Sequence, residues 1–280
     1  MQTIAFIGGG NMATALIGGL VAAGHEGRSI IVVEPVEAQR RDLCERFGVE
    51  AIEVIGPALA RASMVVWAVK PQVFGAAAAK CASHVRGALQ VSVMAGVRSD
   101  AIAAATGSER VVRVMPNTPA LIGKGVAGVF ARPAVSRDDR ASVDAVLAPT
   151  GAVVWLERED ELDAITALSG SGPAYVFHLV EAMVAAAREM GVPDDRARTL
   201  AVHTVAGAAA LAAASNESAE VLRRNVTSPG GTTAAAMAVL EKRGVEAAFI
   251  EAILAARDRA RELGEEFGAT PDAPGDRAAS

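Results

Sequence analysis

Near the C-terminus the chain reads Val226-Thr227-Ser228-Pro229-Gly230-Gly231-Thr232-Thr233, a Pro-Gly-Gly interruption between two helical patterns. Gly230 and Gly231 have no Cβ, so backbone amides there can approach a ligand closely. Thr232 and Thr233 open the next helical pattern, and the unpaired amides of a helix N-terminus attract a carboxylate or phosphate. Ser, Pro, Gly and Thr also favour an ordinary capped helix–helix turn. Spacing alone leaves both readings open.

A second glycine run lies at the other end. Thr3–Ile7 is an apolar run of strand length, followed by Gly8-Gly9-Gly10-Asn11-Met12-Ala13 and a helical pattern to Gly24. This is G-x-G-x-x-A between a strand and a helix. Gly8 permits the tight turn, Gly10 admits a pyrophosphate, and Ala13 keeps helix and strand close. Gly8, Gly10, Asn11, Met12 and Ala13 are therefore candidate dinucleotide contacts. Glu34 closes the next strand, about 24 residues past Gly10, where an acidic residue bonds the adenosine ribose and disfavours a 2′-phosphate. Arg40 and Arg41 follow and can serve a phosphate instead. The cofactor is expected to be NADPH or NADH, and Glu34 tilts the expectation towards NADH.

Ligands of open parallel sheets bind beyond the carboxyl ends of strands. Ala68-Val69-Lys70-Pro71-Gln72 leaves one such end, with Lys70 near the cofactor edge. Arg113-Val114-Met115-Pro116-Asn117-Thr118-Pro119-Ala120 leaves another, a loop stiffened by two prolines in which Asn117 and Thr118 suit a nicotinamide. Each is equally consistent with a plain strand exit. Ser169-Gly170-Ser171-Gly172-Pro173-Ala174-Tyr175 opens a long helix and either lines the site or packs against the first domain.

The elements that must carry these residues form two groups. Strands are expected at Thr3–Ile7, Ile30–Val33, Met64–Val69, Leu89–Val93, Arg110–Val114, Gly125–Phe130 and Val153–Leu156, mostly alternating with helices, which indicates a parallel sheet. After the charged stretch Glu157-Arg158-Glu159-Asp160-Glu161 strand signals stop. Ala174–Met190, Asp194–Ala214, Ser218–Asn225, Thr232–Lys242 and Val245–Phe267 read as helices. The fold class is an α/β Rossmann-type N-terminal domain (1–160) plus an all-α C-terminal dimerisation domain (161–267), with a disordered tail at 268–280. Ala174–Ala187 is apolar nearly all round, as in a helix buried on several sides. Leu200–Ala214 reads as a buried helix too short to span a bilayer. About 100 residues bury such helices poorly alone, which implies a subunit interface.

Of the 280 residues 51% are hydrophobic and only 4% aromatic, so the core is built from Ala, Val, Leu and Ile. The net charge of -5, without a basic cluster, argues against nucleic acid. Cys44 and Cys81 lack metal or C-x-x-C spacing and read as reduced thiols of a cytoplasmic protein. The start lacks the basic region of a signal peptide. His25, His84, His178 and His203 show no metal spacing, and His178 and His203 read as interior or interface residues. No metal and no membrane are expected.

Taken in order, Gly8-x-Gly10-Asn11-Met12, Ala68-Val69-Lys70-Pro71, Met115-Pro116-Asn117-Thr118-Pro119, Ser169-Gly170-Ser171-Gly172-Pro173-Ala174-Tyr175 and the Val226–Thr233 run closely resemble the pyrroline-5-carboxylate reductases, over about residues 3 to 266. The last motif is specific to that family, the first is shared by many dehydrogenases. The resemblance implies reduction of 1-pyrroline-5-carboxylate to proline by NADPH or NADH, the last step of proline synthesis. It also implies a helical domain that interlocks two subunits, often within a ring of dimers. It places the substrate carboxylate on amides of Gly230, Gly231, Thr232 and Thr233, with the Thr233 hydroxyl facing the ring nitrogen. One departure is Ser218-Ala219, where many members carry His-Pro.

That chemistry asks little of the side chains. A protonated cyclic imine is already electrophilic, so no strong protein acid is obligatory, and none stands near the motifs. Ser228 and Thr233 hydroxyls can direct the nitrogen. Two other readings compete. A β-hydroxyacid reductase of similar architecture would place a lysine on the helix near Gly172, but Ala174–Met190 holds only Arg188. A dinucleotide-binding scaffold would have no use for the Pro-Gly-Gly-Thr-Thr cradle.

Overall fold

The computed structural model describes residues 2–268. It contains one sheet of eight strands: β1 (Ile4–Ile7), β2 (Ile30–Val33), β3 (Glu50–Ile52), β4 (Met64–Trp67), β5 (Leu89–Ser92), β6 (Val111–Met115), β7 (Gly125–Ala131) and β8 (Gly151–Trp155). Their spatial order is β3-β2-β1-β4-β5-β6-β7-β8, and all neighbours are parallel except β6 and β7. The link between β6 and β7, residues 116–124, is shorter than the dozen residues or more that a parallel crossover needs. β3 escapes sequence reading because it has three residues, begins with a glutamate and is only half-buried at the sheet edge.

Helices α1 (Asn11–Ala22), α2 (Glu37–Phe47), α3 (Pro71–Val85), α4 (Ser99–Thr106) and α5 (Arg137–Leu147) cover the sheet. β1, β2, β4 and β5 are buried throughout, as helices on both faces require. Side chains alternate between the faces with the period of two of a strand. Ile4, Phe6, Val32 and Val66 enter one core with Leu16 and Ile17 of α1, while Ala5, Ile7, Val33 and Trp67 enter the other with Phe74 and Ala78 of α3. The few aromatics are placed at fixed points: Trp67 meets Phe74 edge-on at 5.1 Å and donates its indole N–H to Gln90. Cys44 and Cys81 are free thiols, and burial pushes the Cys81 thiol up to about 11.

The charged stretch after β8 is not simply a solvated link. Glu159 turns inward, accepting from the Ser99 amide at 2.7 Å, the Ser99 hydroxyl and Arg113 Nη1 at 2.7 Å. The N-cap residue Arg98 gives α4 no side-chain cap, so Glu159, with Asp100 of the first turn, supplies negative charge at that N-terminus. Burial raises the Glu159 carboxyl, but the Ser99 and Arg113 bonds outweigh this and hold it below the usual value of 4.5. Glu159→Gln is expected to cost roughly 2–3 kcal/mol, because it leaves buried Arg113 without its anion. Urea unfolding at neutral pH measures this. A group with a lowered folded pKa stabilises above its unfolded value and loses that effect as pH falls through the folded one. The difference between wild type and variant therefore shrinks as pH drops below 4.5.

By packing, the chain divides into two units. The first is Met1–Ser171 with the end of the last helix from Ala256 onward, the second Gly172–Ala255. This division lies inside the 161–267 span read from sequence. α6 (Glu161–Ile165) belongs to the first unit because Ile165 packs against Gly128 of β7, and Phe267 belongs there because it packs on the second core. The remainder of the expected tail lies outside the described residues.

The second unit holds α7 (Gly172–Glu189), α8 (Asp194–Ala214), α9 (Ala219–Asn225), α10 (Thr232–Lys242) and the first part of α11 (Val245–Gly268). Here burial departs from expectation. α7 buries only Ala187, leaving Phe177 63% and Leu179 53% exposed. α8 buries only Ala197 and Ala201, so Leu200–Ala214 is not a buried stretch of the single chain. His178 and His203 are likewise exposed. A helix pair offers each member one apolar neighbour and cannot cover an apolar helix all round. With 21 residues α8 is long and apolar enough to cross a membrane by length and composition alone, although its apolar stretch by itself is shorter.

Candidate active site

The strand order reverses between β1 and β4, and their carboxyl ends bring the first motif and the Ala68–Pro71 segment together. Gly8 has φ +101°, and a Cβ there would lie 2.6 Å from the Ala68 carbonyl oxygen. Only glycine fits. Gly10 differs: a Cβ would meet nothing within 4 Å, so the space before it is open. Gly10 is also the N-cap of α1, with no side chain capping the turn. The first helical bond runs from the Thr14 amide to the Gly10 carbonyl, which leaves the amides of Asn11, Met12 and Ala13 ahead of it. An open cradle before three orphan amides fits a pyrophosphate.

The turn is held from β2 and α2. Glu34 Oε2 accepts from the Gly9 amide at 2.8 Å, and Oε1 accepts from the Val36 amide at 2.9 Å. Gln39 Nε2 donates to the Gly9 carbonyl at 2.6 Å. The Gly9 peptide is thus clasped on both sides. Gln39 carries no sequence signal, since a lone glutamine on a polar helix matches no motif. Arg40 is spent on the Glu34 and Pro35 carbonyls and on Glu53, while Arg41 pairs with Glu37.

Lys70 stands exposed at the N-cap of α3, with Pro71 at the first helical position. Asn117 and Thr118 follow β6, but they differ. Thr118 is exposed. Asn117 is buried: its Oδ1 accepts from the Val126 amide at 3.0 Å and its Nδ2 donates to the Ser169 carbonyl at 3.2 Å. The Asn117 amide thus spends one bond from each end on its own chain and keeps a second N–H. Pro173 has no N–H to give the Ser169 carbonyl four residues back. Around this gap Thr166–Gly170 winds as a π-helical turn, and Asn117 supplies the missing donor. Of the two readings for the Ser169 segment, packing against the first domain holds for Ser169 and Gly170, whose missing Cβ would lie 2.6 Å from Met115 Cε.

In the second unit, Ser228-Pro229-Gly230-Gly231 closes with the Gly231 amide donating to the Ser228 carbonyl at 3.0 Å, and Gly230 has φ +71°. Proline second and a left-handed glycine third are the marks of a type II turn. The Gly231 amide, expected to face the substrate, is thus turned inward. Gly231 is also the N-cap of α10, whose first helical bond comes from Ala235. The amides of Thr232, Thr233 and Ala234 precede it and are open to an anion. Ala234, a residue without a polar side chain, gave no signal in sequence.

Comparison with known proteins decides the family. A family model described as pyrroline-5-carboxylate reductase dimerisation matches residues 159–263, and one described as NADP oxidoreductase, coenzyme F420-dependent, matches residues 3–96. The pyrroline-5-carboxylate reductase of Pseudomonas aeruginosa is 41% identical over 267 residues, covering 95% of this chain and 98% of the relative. The chain belongs to the pyrroline-5-carboxylate reductase family.

A pyrroline-5-carboxylate reductase from Coxiella burnetii superimposes with a TM-score of 0.87 at 37% identity, covering 94% of this chain and 98% of that one. The pyrroline carboxylate reductase of Plasmodium falciparum, solved with NADP bound, gives 0.84 at 26% identity with the same coverage. A pyrroline-5-carboxylate reductase of Arabidopsis thaliana is 35% identical, covering 94% of this chain and 95% of the relative. As a member of this family the chain self-associates, and Phe177 and Leu179 are exposed apolar side chains of its helical part. Phe177→Asp is expected to shift the protein towards monomer, because a charge in an apolar interface loses its water without gaining a partner. Sedimentation velocity across a concentration series checks this. Among the described residues no group of three or more His, Cys, Asp or Glu is placed to hold a metal.

Proposed function

We propose that this chain reduces 1-pyrroline-5-carboxylate to L-proline with NADPH or NADH as hydride donor, in the cytoplasm and without a metal. The observation that carries this is the Ser228–Gly231 turn with three orphan amides on α10. It is a carboxylate cradle on a chain that also bears an open dinucleotide turn. The amides of Thr232, Thr233 and Ala234, with that of Gly230, hold the substrate carboxylate, while Gly231 shapes the turn.

The reduced nicotinamide, when bound, supplies the hydride to the imine carbon. The Thr233 hydroxyl accepts from the single N–H of the protonated ring nitrogen, and with the Ser228 hydroxyl beside it fixes which face of the ring is presented. The nitrogen keeps its proton as the C=N double bond becomes single, so no protein acid is consumed. Orientation of this kind supplies about 7–11 kcal/mol in favourable cases. On the cofactor side, Gly8, Gly10, Asn11, Met12 and Ala13 take the pyrophosphate and Glu34 the ribose. Ala68, Val69, Lys70, Pro71 and Thr118 line the nicotinamide end. Asn117 is a positioning residue.

The functional division falls near residue 160, where the dimerisation match begins. Dimers assemble further into a ring, which sedimentation also tests. Purified protein mixed with 1-pyrroline-5-carboxylate is expected to oxidise NADH or NADPH and yield proline. Substrate binding without oxidation of either cofactor would reduce the protein to a dinucleotide-binding scaffold.

A further inference from the structure

We propose that Glu34 makes this chain select NADH over NADPH, and that Gln39 holds the glycine turn equally for both. The inference rests on the reductase reading above and concerns only the adenosine end of the cofactor.

Both partners of the Glu34 carboxylate are N–H donors, so both its oxygens act as acceptors. A carboxylate offers about four acceptor positions. Two are used, and the rest suit the hydroxyls of an unmodified ribose. A 2′-phosphate has no such donor and brings negative charge against negative charge. Glu34 cannot swing aside to admit it. The residue is only 9% exposed, and leaving its place would strip the Gly9 and Val36 amides of their acceptor. Its own Cβ and Cγ pack 3.3 Å from where a Gly9 Cβ would stand, so the side chain is confined.

The two cations nearby are each already engaged by an acidic partner. A 2′-phosphate site needs a guanidinium with donors to spare. Arg40 spends three of its N–H donors on two backbone carbonyls and Glu53, and is mostly buried in doing so. Arg41 lies on the exposed face of α2, paired with Glu37 at 2.7 Å. Gln39 donates to the Gly9 carbonyl and to the Thr14 hydroxyl, on the pyrophosphate side of the turn, which both cofactors share.

The test is direct binding, by calorimetric titration of NADH and NADPH into the full-length protein without substrate. The wild-type chain is expected to bind NADH about tenfold or more tightly than NADPH. Glu34→Gln, which exchanges one acceptor for an N–H donor, is expected to cut that ratio by about tenfold or more. Gln39→Ala is expected to weaken both dinucleotides alike and leave the ratio in place. If Glu34→Gln fails to melt cooperatively, the wild-type ratio alone decides. Equal or tighter binding of NADPH by the wild type would overturn the preference while leaving the reductase intact. An unchanged ratio in a folded Glu34→Gln variant would overturn the role of Glu34, and a changed one in Gln39→Ala would overturn that of Gln39. Binding of neither dinucleotide would instead overturn the reductase reading itself.

Discussion

Gly10→Ala is expected to leave the protein folded and to weaken dinucleotide binding by about 100-fold or more, which corresponds to about 2.8 kcal/mol. Gly10 has φ -69°, a conformation open to any residue, and a Cβ there meets no protein atom within 4 Å. The cost to stability is that of alanine at a helix N-cap, about 0.5–1 kcal/mol. The methyl group instead fills the space before the amides of Asn11, Met12 and Ala13, where the pyrophosphate must lie. Gly8→Ala is the instructive contrast. Its Cβ would strike the Ala68 carbonyl at 2.6 Å from a backbone at φ +101°, so that variant loses stability and binding together. Thermal melting and cofactor titration of the pair separate the two glycine roles. Full NADH affinity in Gly10→Ala would move the pyrophosphate away from this turn.

Thr233→Ala is expected to lower turnover by about 10- to 100-fold while the affinity for NADH stays at the wild-type value. A hydrogen bond to a charged group contributes about 1.5–3 kcal/mol, and the bond in question is to the protonated ring nitrogen. The backbone cradle is not altered, because the amides of Thr232, Thr233 and Ala234 depend on the N-cap geometry of Gly231 rather than on the removed hydroxyl. The loss therefore falls on kcat more than on KM. Steady-state kinetics with the imine, with cofactor titration as the control, measure it. Unchanged kcat would remove Thr233 from the reacting centre and leave Ser228 as the hydroxyl beside the nitrogen.

Local chemistry made most of the scaffold legible. Ile30–Val33, Asp194–Ala214 and Thr232–Lys242 keep the bounds read from sequence, because each is set by its own turn residues and apolar period. β3 was not legible, since three residues without an apolar run gain their strand only by pairing with β2. The apolar surfaces of α7 and α8 were legible as needing cover, but not as exposed in one chain. Composition records that an apolar face must be buried and not what buries it.

The same boundary runs through the site. By itself the sequence determined where amides stand unpaired: at Asn11–Ala13 and at Thr232–Thr233, where glycine precedes a helix and no side chain can cap it. It also determined the positive φ at Gly8 and Gly230, which those turns require. Tertiary structure alone decided which polar side chains remain for ligands. Glu34 meets Gly9 across 25 positions, Asn117 meets Ser169 across 52, and Glu159 meets Ser99 across 60. Each pairing depends on the order of the strands and the packing of the segments that follow them. A buried polar group takes whatever partner that packing brings within reach, and no local pattern encodes the meeting.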